Sequence, residues 1–193
     1  MQKRVFIVHG WDGYPENGWF PWLKQELENR GWLVVVPQLP QPEEPRINKW
    51  IPVLAEIVGT PDEQTYFVGH SMGCQAIARY VETLPEKTLV GGAVFVAGFF
   101  SRLTLDNDDR TQSVVKEWLE TPLNLEKVKS HLRKSVAIFC DNDPYVPLEN
   151  KEAFQNMLGS SIVIEHNLVH FSGSTGVTKL SVALTSVLGL AGH

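Results

Sequence analysis

Thr65-Tyr66-Phe67-Val68-Gly69-His70-Ser71-Met72-Gly73 carries a short apolar, β-rich run into a serine held between two glycines. A helical pattern begins at once, with Met72, Ala76, Ile77, Tyr80 and Val81 recurring at helical spacing. Strand, Gly-x-Ser-x-Gly and helix in succession spell a nucleophile elbow. A serine on so sharp a turn has strained backbone angles, and small neighbours let the turn tighten without a Cβ clash. The turn lifts the hydroxyl above the sheet, and the first free N–H groups of the helix point toward any oxyanion formed beside it. An ordinary strand-to-helix turn that happens to carry a serine is the competing reading. The five-residue pattern alone is loose, so the choice rests on what surrounds it.

Upstream, Val5-Phe6-Ile7-Val8 is a continuous apolar run suited to a strand buried on both faces, and it ends in His9-Gly10-Trp11-Asp12-Gly13. Trp19 to Arg30 reads as a helix with Trp19, Trp22, Leu23 and Leu27 on one face. Leu33 to Val36 is the next strand, and the four prolines between Pro37 and Pro45 require an extended loop. Ile47 to Val58 is a helix with Trp50, Leu54 and Ile57 inward, and Pro52 places its regular part a few residues after Ile47. Downstream, the elbow helix runs to Leu84-Pro85 and Leu89 to Val96 is a strand. Asp106 to Arg110 is turn-like, and Ser113 to Leu119 and Leu125 to Leu132 are short helices. Val136 to Phe139 is a strand, Leu148 to Leu158 a helix, Ile162 to Ile164 the last strand and Thr178 to Leu188 the closing helix. This alternation predicts one α/β domain over residues 1–193, with a mainly parallel sheet of about six strands and helices on both faces. Active-site loops then belong at the C-terminal strand ends: His9 to Gly13, Gly69 to Gly73, Ala97 to Phe100, Cys140 to Pro147 and Glu165 to Phe171.

The bulk properties narrow the classes. A net charge of −5 gives no electrostatic reason to expect nucleic acid. Two cysteines, Cys74 and Cys140, make no disulfide framework and read as small buried hydrophobes in a reducing compartment. Val5 to Val8 is too short for a signal-peptide core, and Leu180 to Leu190 too short and too broken for a membrane span. The expectation is a cytoplasmic protein with no membrane partner. No His-Glu-x-x-His or His-x-x-Glu-His spacing occurs, so no metal and no cofactor is expected.

A serine hydroxyl needs a base, usually histidine oriented by a carboxylate. The elbow implies the chain order serine, acid, histidine. His9 and His70 precede or flank the serine, His131 precedes the strand that should deliver the acid, and His193 is a chain end. His166 and His170 remain. His170 is favoured, because the loop after the last strand needs a few residues to reach back over Ser71. Asp141 and Asp143 both follow the strand Val136 to Phe139. Asp143-Pro144-Tyr145-Val146-Pro147 is a turn held by two prolines that can fix a carboxylate, which favours Asp143, whereas Asp141 would brace the turn. The oxyanion hole needs two N–H groups: that of Met72 after the nucleophile, and one from His9-Gly10-Trp11, with Trp11 the best candidate.

With these residues in hand, nearly the whole chain resembles the small α/β-hydrolase family of the retinoblastoma-binding serine hydrolase and its bacterial relatives. The likeness rests on the first strand running into His9-Gly10, on Trp19-Phe20-Pro21-Trp22-Leu23, on the elbow, on Asp141-Asn142-Asp143-Pro144-Tyr145-Val146-Pro147 and on Val169-His170-Phe171. It implies Ser71, Asp143 and His170 as the triad. One departure is Val169, where members often carry glycine before the histidine. Because the oxyanion strand begins almost at Met1, a trimmed sheet is expected, with no large cap domain. Only Ala97 to Lys134 could form a short helical flap. Phe99, Phe100, Leu103 and Trp118 in that segment, with Gly10, Trp11 and Tyr145, are candidates for an acyl pocket, the alternative for such aromatics being the core. The expected activity is carboxylesterase-like hydrolysis of a small ester, thioester or amide through an acyl-enzyme on Ser71. The rival is a protein-binding module of the same fold with little turnover.

Overall fold

The computed structural model describes residues 2–105 and 108–192. Asp106 and Asn107 of the expected turn, and His193, lie outside the described residues. Six strands, β1 (Arg4–Val8), β2 (Leu33–Val35), β3 (Thr65–His70), β4 (Gly92–Val96), β5 (Ser135–Cys140) and β6 (Ser161–Glu165), form one sheet in the spatial order β2-β1-β3-β4-β5-β6. Every ladder is parallel. The order reverses between β2 and β3, where the chain goes out to β2 and returns past β1. Such a switch opens a crevice at the C-terminal strand ends. The ends of β1 and β3 meet there, with Val8 opposite Gly69.

The helices are α1 (Phe20–Glu28), α2 (Ile47–Val58), α3 (Met72–Glu82), α4 (Asp109–Glu120), α5 (Leu125–His131), α6 (Lys151–Ala153) and α7 (Ser181–Leu190). They cover both faces because alternate strand residues point to opposite sides. Phe6, Val8, Phe67, Phe95, Ala137 and Phe139 pack against α2, α3 and α5 through Trp50, Leu54, Ile77 and Val128. Val5, Ile7, Val68, Val94, Val96 and Ile138 pack against α1 and α7 through Leu23, Leu27, Leu184 and Val187. The continuous apolar runs of the sequence are the consequence of this two-sided burial. Among the described residues, no helix is long and apolar enough to cross a membrane.

Several local expectations shift. Helix α2 is regular from Ile47 onward despite Pro52, whose exposed position lets water take the carbonyl that the ring deprives of a donor. Val58 rather than Ile57 completes its buried face. Strand β4 starts at Gly92, not Leu89; Val90 makes only an isolated bridge to Leu132. Helix α4 starts before Ser113 because Asp108 caps it, its carboxylate accepting the Thr111 N–H at 3.0 Å. Leu148 to Leu158 is helical throughout but mixed: 3₁₀ over Leu148–Asn150, α over Lys151–Ala153 and π over Phe154–Leu158.

Candidate active site

Ser71 leaves β3 while still in register with β4, its N–H donating to Val96 O at 2.8 Å. Its backbone angles are φ 52° and ψ −119°, a conformation L-residues rarely adopt. Ser71 holds the N-cap position of α3, yet its hydroxyl caps nothing. That leaves the hydroxyl available for chemistry rather than spent on the helix. Close packing imposes the turn. A Cβ on Gly73 would sit 2.2 Å from Val8 O, and one on Gly69 would sit 2.8 Å from Cys74 N. The glycines therefore let the start of α3 press onto the end of β1.

Gly10 faces this turn from the loop after β1; a Cβ there would lie 3.0 Å from Ser71 Cβ and 3.6 Å from Met72 N. Among the described residues, neither the Met72 nor the Trp11 backbone N–H has an acceptor. His9 braces this loop from within. Its Nε2 accepts the Leu39 N–H at 3.0 Å, so its Nδ1 carries the proton and donates to Gly10 O at 2.8 Å. Burial lowers the His9 pKa and keeps the ring neutral, outweighing the opposing pull of the Gly10 carbonyl.

After β5 and β6, the two candidate acids and the two candidate bases pair off. Asp143 is buried; its Oδ1 accepts the N–H groups of Tyr145 (2.9 Å) and Val146 (3.0 Å), while Oδ2 lies 2.7 Å from His170 Nδ1. The carboxylate can only accept, so His170 Nδ1 donates and Nε2 is left as the basic nitrogen. Asp141 pairs instead with His166 on the surface, Oδ2 to Nδ1 at 2.5 Å. The hydrogen bond to Asp141 raises the His166 pKa, and the same bond lowers that of Asp141.

Ser71, His170, Met72 and the Gly10-Trp11 loop line one cavity of about 1100 Å³, with Phe99, Leu103 and Tyr145 on its walls. Asp143 stands behind His170 and is not part of the wall. Tyr145 meets the His170 ring edge-on, with centroids 5.2 Å apart. Trp118 corrects an expectation: it is fully buried beneath the flap, packed on Trp50 with its indole N–H bonded to Pro45 O at 2.9 Å, and does not reach the cavity. A large amphipathic side chain on the inner face of α4 finds its apolar surroundings and its acceptor in the core. Phe100 likewise stacks on Phe154, at 4.4 Å, away from the cavity. Among the described residues, no three His, Cys, Asp or Glu side chains converge as metal ligands would.

Sequence reasoning did not single out three supporting residues. Asn150 is buried; its Oδ1 accepts the N–H groups of Phe100 and Ser101 and its Nδ2 donates to Arg102 O and Pro147 O, which fixes the loop after β4. No sequence signal marks it. Asn142 accepts the Val169 N–H at 3.0 Å, joining the acid loop to the histidine loop. Its place between two candidate acids was the available hint. Arg110 donates to Glu43 O at 2.6 Å, and the Trp11 indole donates to the same carbonyl at 3.0 Å, so α4 is tied to the loop after β1.

The chain is similar to known hydrolases. YdeN of Bacillus subtilis (strain 168), named as a hydrolase, is 31% identical over 183 residues, covering 94% of this chain and 93% of YdeN. The crystal structure of the ydeN gene product superposes over all of both chains with a TM-score of 0.90. The serine hydrolase RBBP9 of Rattus norvegicus is 24% identical over 159 residues, 82% of this chain and 80% of that protein. A carboxylesterase of the thaumarchaeon Nitrososphaera gargenis shares the fold, with a TM-score of 0.74 at 12% identity over 98% of this chain and 90% of that one. The model of the family described as serine hydrolase matches residues 5–187, and with the α/β-hydrolase sheet and no large cap domain, the chain belongs to that serine hydrolase family.

Proposed function

We propose that the protein is a carboxylesterase-like hydrolase that cleaves a small ester, thioester or amide through an acyl-enzyme on Ser71. The observation that carries this reading is the buried Asp143–His170 pair at 2.7 Å on the cavity that also receives the strained, uncapped Ser71. In this reading Ser71 Oγ attacks the acyl carbon as its proton passes to His170 Nε2. The carbonyl oxygen becomes an oxyanion and accepts hydrogen bonds from the Met72 and Trp11 N–H groups. Asp143 holds the imidazole in the tautomer needed and stabilises the imidazolium. His170 then gives its proton to the leaving group as the bond to the acyl carbon breaks. Water, deprotonated by the same nitrogen, releases the acid and restores Ser71. Leu103 and Tyr145 form the apolar wall suited to the acyl group, with Phe99 fully buried beneath it.

Cys74 and Cys140 are both free and buried, which fits a reducing, cytoplasmic setting. A protein used only for binding has no need of a buried carboxylate locked onto an imidazole beside a strained serine. The test is hydrolysis of an aryl acetate by wild type and Ser71→Ala. The expected loss in kcat is about 10⁶-fold, and an undiminished rate in the variant would remove Ser71 as the nucleophile.

A further inference from the structure

His70, the residue before the nucleophile, takes no part in the scheme above, yet it sits against the base. Its Nε2 lies 2.8 Å from the backbone oxygen of His170, and the two imidazole centroids are 4.9 Å apart. A carbonyl can only accept, so His70 Nε2 carries a proton and donates it. Trp19 and Phe20 also meet the ring edge-on, at 6.1 and 6.2 Å, and His70 lines the cavity with Ser71 and His170.

The segment that His70 grips is one that would not hold its shape alone. Asn167, Val169 and Phe171 have φ of 60°, 53° and 53°, and none is glycine. Such conformations are strained and persist only where the surroundings over-determine them. Three consecutive residues are each tied by a side chain from a different element. Asn142 of the acid loop takes the Val169 N–H at 3.0 Å, His70 donates to His170 O, and the Trp19 indole donates to Phe171 O at 3.0 Å. Asn142 and Trp19 fix the flanks. Among the described residues, only the His70 side chain hydrogen-bonds the backbone of the base to the strand that delivers the nucleophile.

We infer that His70 is a positioning residue for His170, latching the backbone of the base to the end of the nucleophile strand and so setting the His170 ring relative to Ser71. The inference rests on the triad reading for its consequence in catalysis, and on geometry alone for the latch. The titratable groups facing His70 are His170 with Asp143 behind it, and His9 from the loop after β1. Burial, then the neighbouring His170, push its pKa down to about 3, so the latch keeps the same protonation state across the working range. A neutral imidazole also adds no positive charge that would oppose protonation of His170 during turnover.

The test compares His70→Gln, which can present an amide N–H at nearly the same reach, with His70→Phe, which fills the space and cannot donate. Three readouts are taken on folded protein: kcat and KM on an aryl ester, the rate of fluorophosphonate labelling, and the downfield proton resonance of His170 Nδ1–H. For His70→Phe we expect kcat and the labelling rate to fall about 100-fold with KM little changed, as for a misplaced reacting group, and the resonance to shift or broaden. His70→Gln should recover kcat to within about tenfold of wild type and keep the resonance. If His70→Phe proves unstable, His70→Gln and His70→Asn, whose shorter reach cannot span 2.8 Å contact geometry in the same place, give the same comparison. An unaltered resonance and kcat in a folded non-donating variant would overturn the inference, as would a glutamine variant as impaired as phenylalanine. If wild type neither turns over nor labels, the triad reading has failed, and the resonance still decides whether His70 holds His170.

Discussion

Val169 has φ 53°, a region that a β-branched side chain enters only under constraint. Glycine would take this conformation without a Cβ clash. Val169→Gly should relieve strain on the order of 1 kcal/mol net of the added chain entropy. A rise or no change in Tm is expected, and a fall of several degrees would contradict it. Gly73→Ala has the opposite sign, because the new methyl would meet the Val8 and His9 carbonyls with no room to move. Loss of the folded elbow is expected, seen as a lowered Tm together with lost labelling. The two aspartates separate by the same reasoning. Asp143→Asn should lower kcat by about 10⁴-fold, whereas Asp141→Asn, losing only an exposed partner, should leave kcat near wild type. Equal effects in a kinetic comparison would show that the buried pair is not the working one. Ser71 and the candidate acids and bases were readable because motif order, turn prolines and strand ends restrict them. Trp118 was not, since a segment's aromatic content does not say which face of a helix turns inward.

At the scale of elements, α4 is the part of the flap whose behaviour follows from its anchors. The Glu117 carboxylate accepts from Arg46 Nη1 at 3.0 Å and from the Ile47 N–H at 2.9 Å, joining α4 to the start of α2. At the same C-terminal end, buried Arg79 of α3 donates to the carbonyls of Trp118, Thr121 and Pro122. These are the acceptors that a helix C-terminus leaves unmet, and a cation is favoured there. Arg79→Met should strand them and destabilise by about 2–3 kcal/mol, measured as a shift in urea midpoint. An unchanged midpoint would mean that water replaces the guanidinium. With Arg110 donating to Glu43 O near its start, α4 is held at both ends. The strands and the helices α1, α2, α3 and α7 were legible because burial on both sheet faces leaves continuous apolar runs. Their ends were less so. Exposure rescued the helix across Pro52, and the register that fixes where β4 begins is a partner-strand property. The Arg79 and Asn150 contacts join residues distant in sequence, and no local pattern carries them.

For the molecule as a whole, the imidazoles of buried His9 and half-buried His70 set a pH dependence with a definite sign. His70 has its pKa lowered from an ordinary value of 6.5 to about 3, and that of His9 is also lowered. The unfolded chain binds these protons more readily than the folded one. Stability from this source is therefore complete above pH 6.5 and falls as pH drops toward the folded value, by up to about 1.4 kcal/mol per pH unit for each histidine. Urea unfolding between pH 6.5 and 4 should show this slope, and His70→Gln should flatten it by about one proton. An identical slope in the variant would contradict a neutral His70. The parallel sheet with helices on both faces follows from the alternation of elements, while the strand order with its reversal, and the pairing of Asp143 with His170 and Asp141 with His166, emerge only when the strands lie side by side.

Labelling with a fluorophosphonate probe, wild type beside Ser71→Ala and His170→Ala, tests the proposed chemistry most directly. The probe reacts rapidly only with a serine activated by its base within a formed oxyanion hole. Rapid labelling of wild type that is lost in both variants, each shown to be folded, is the predicted result. Absent labelling in well-folded wild type, or labelling that survives in Ser71→Ala, would contradict the assignment of Ser71 as an activated nucleophile.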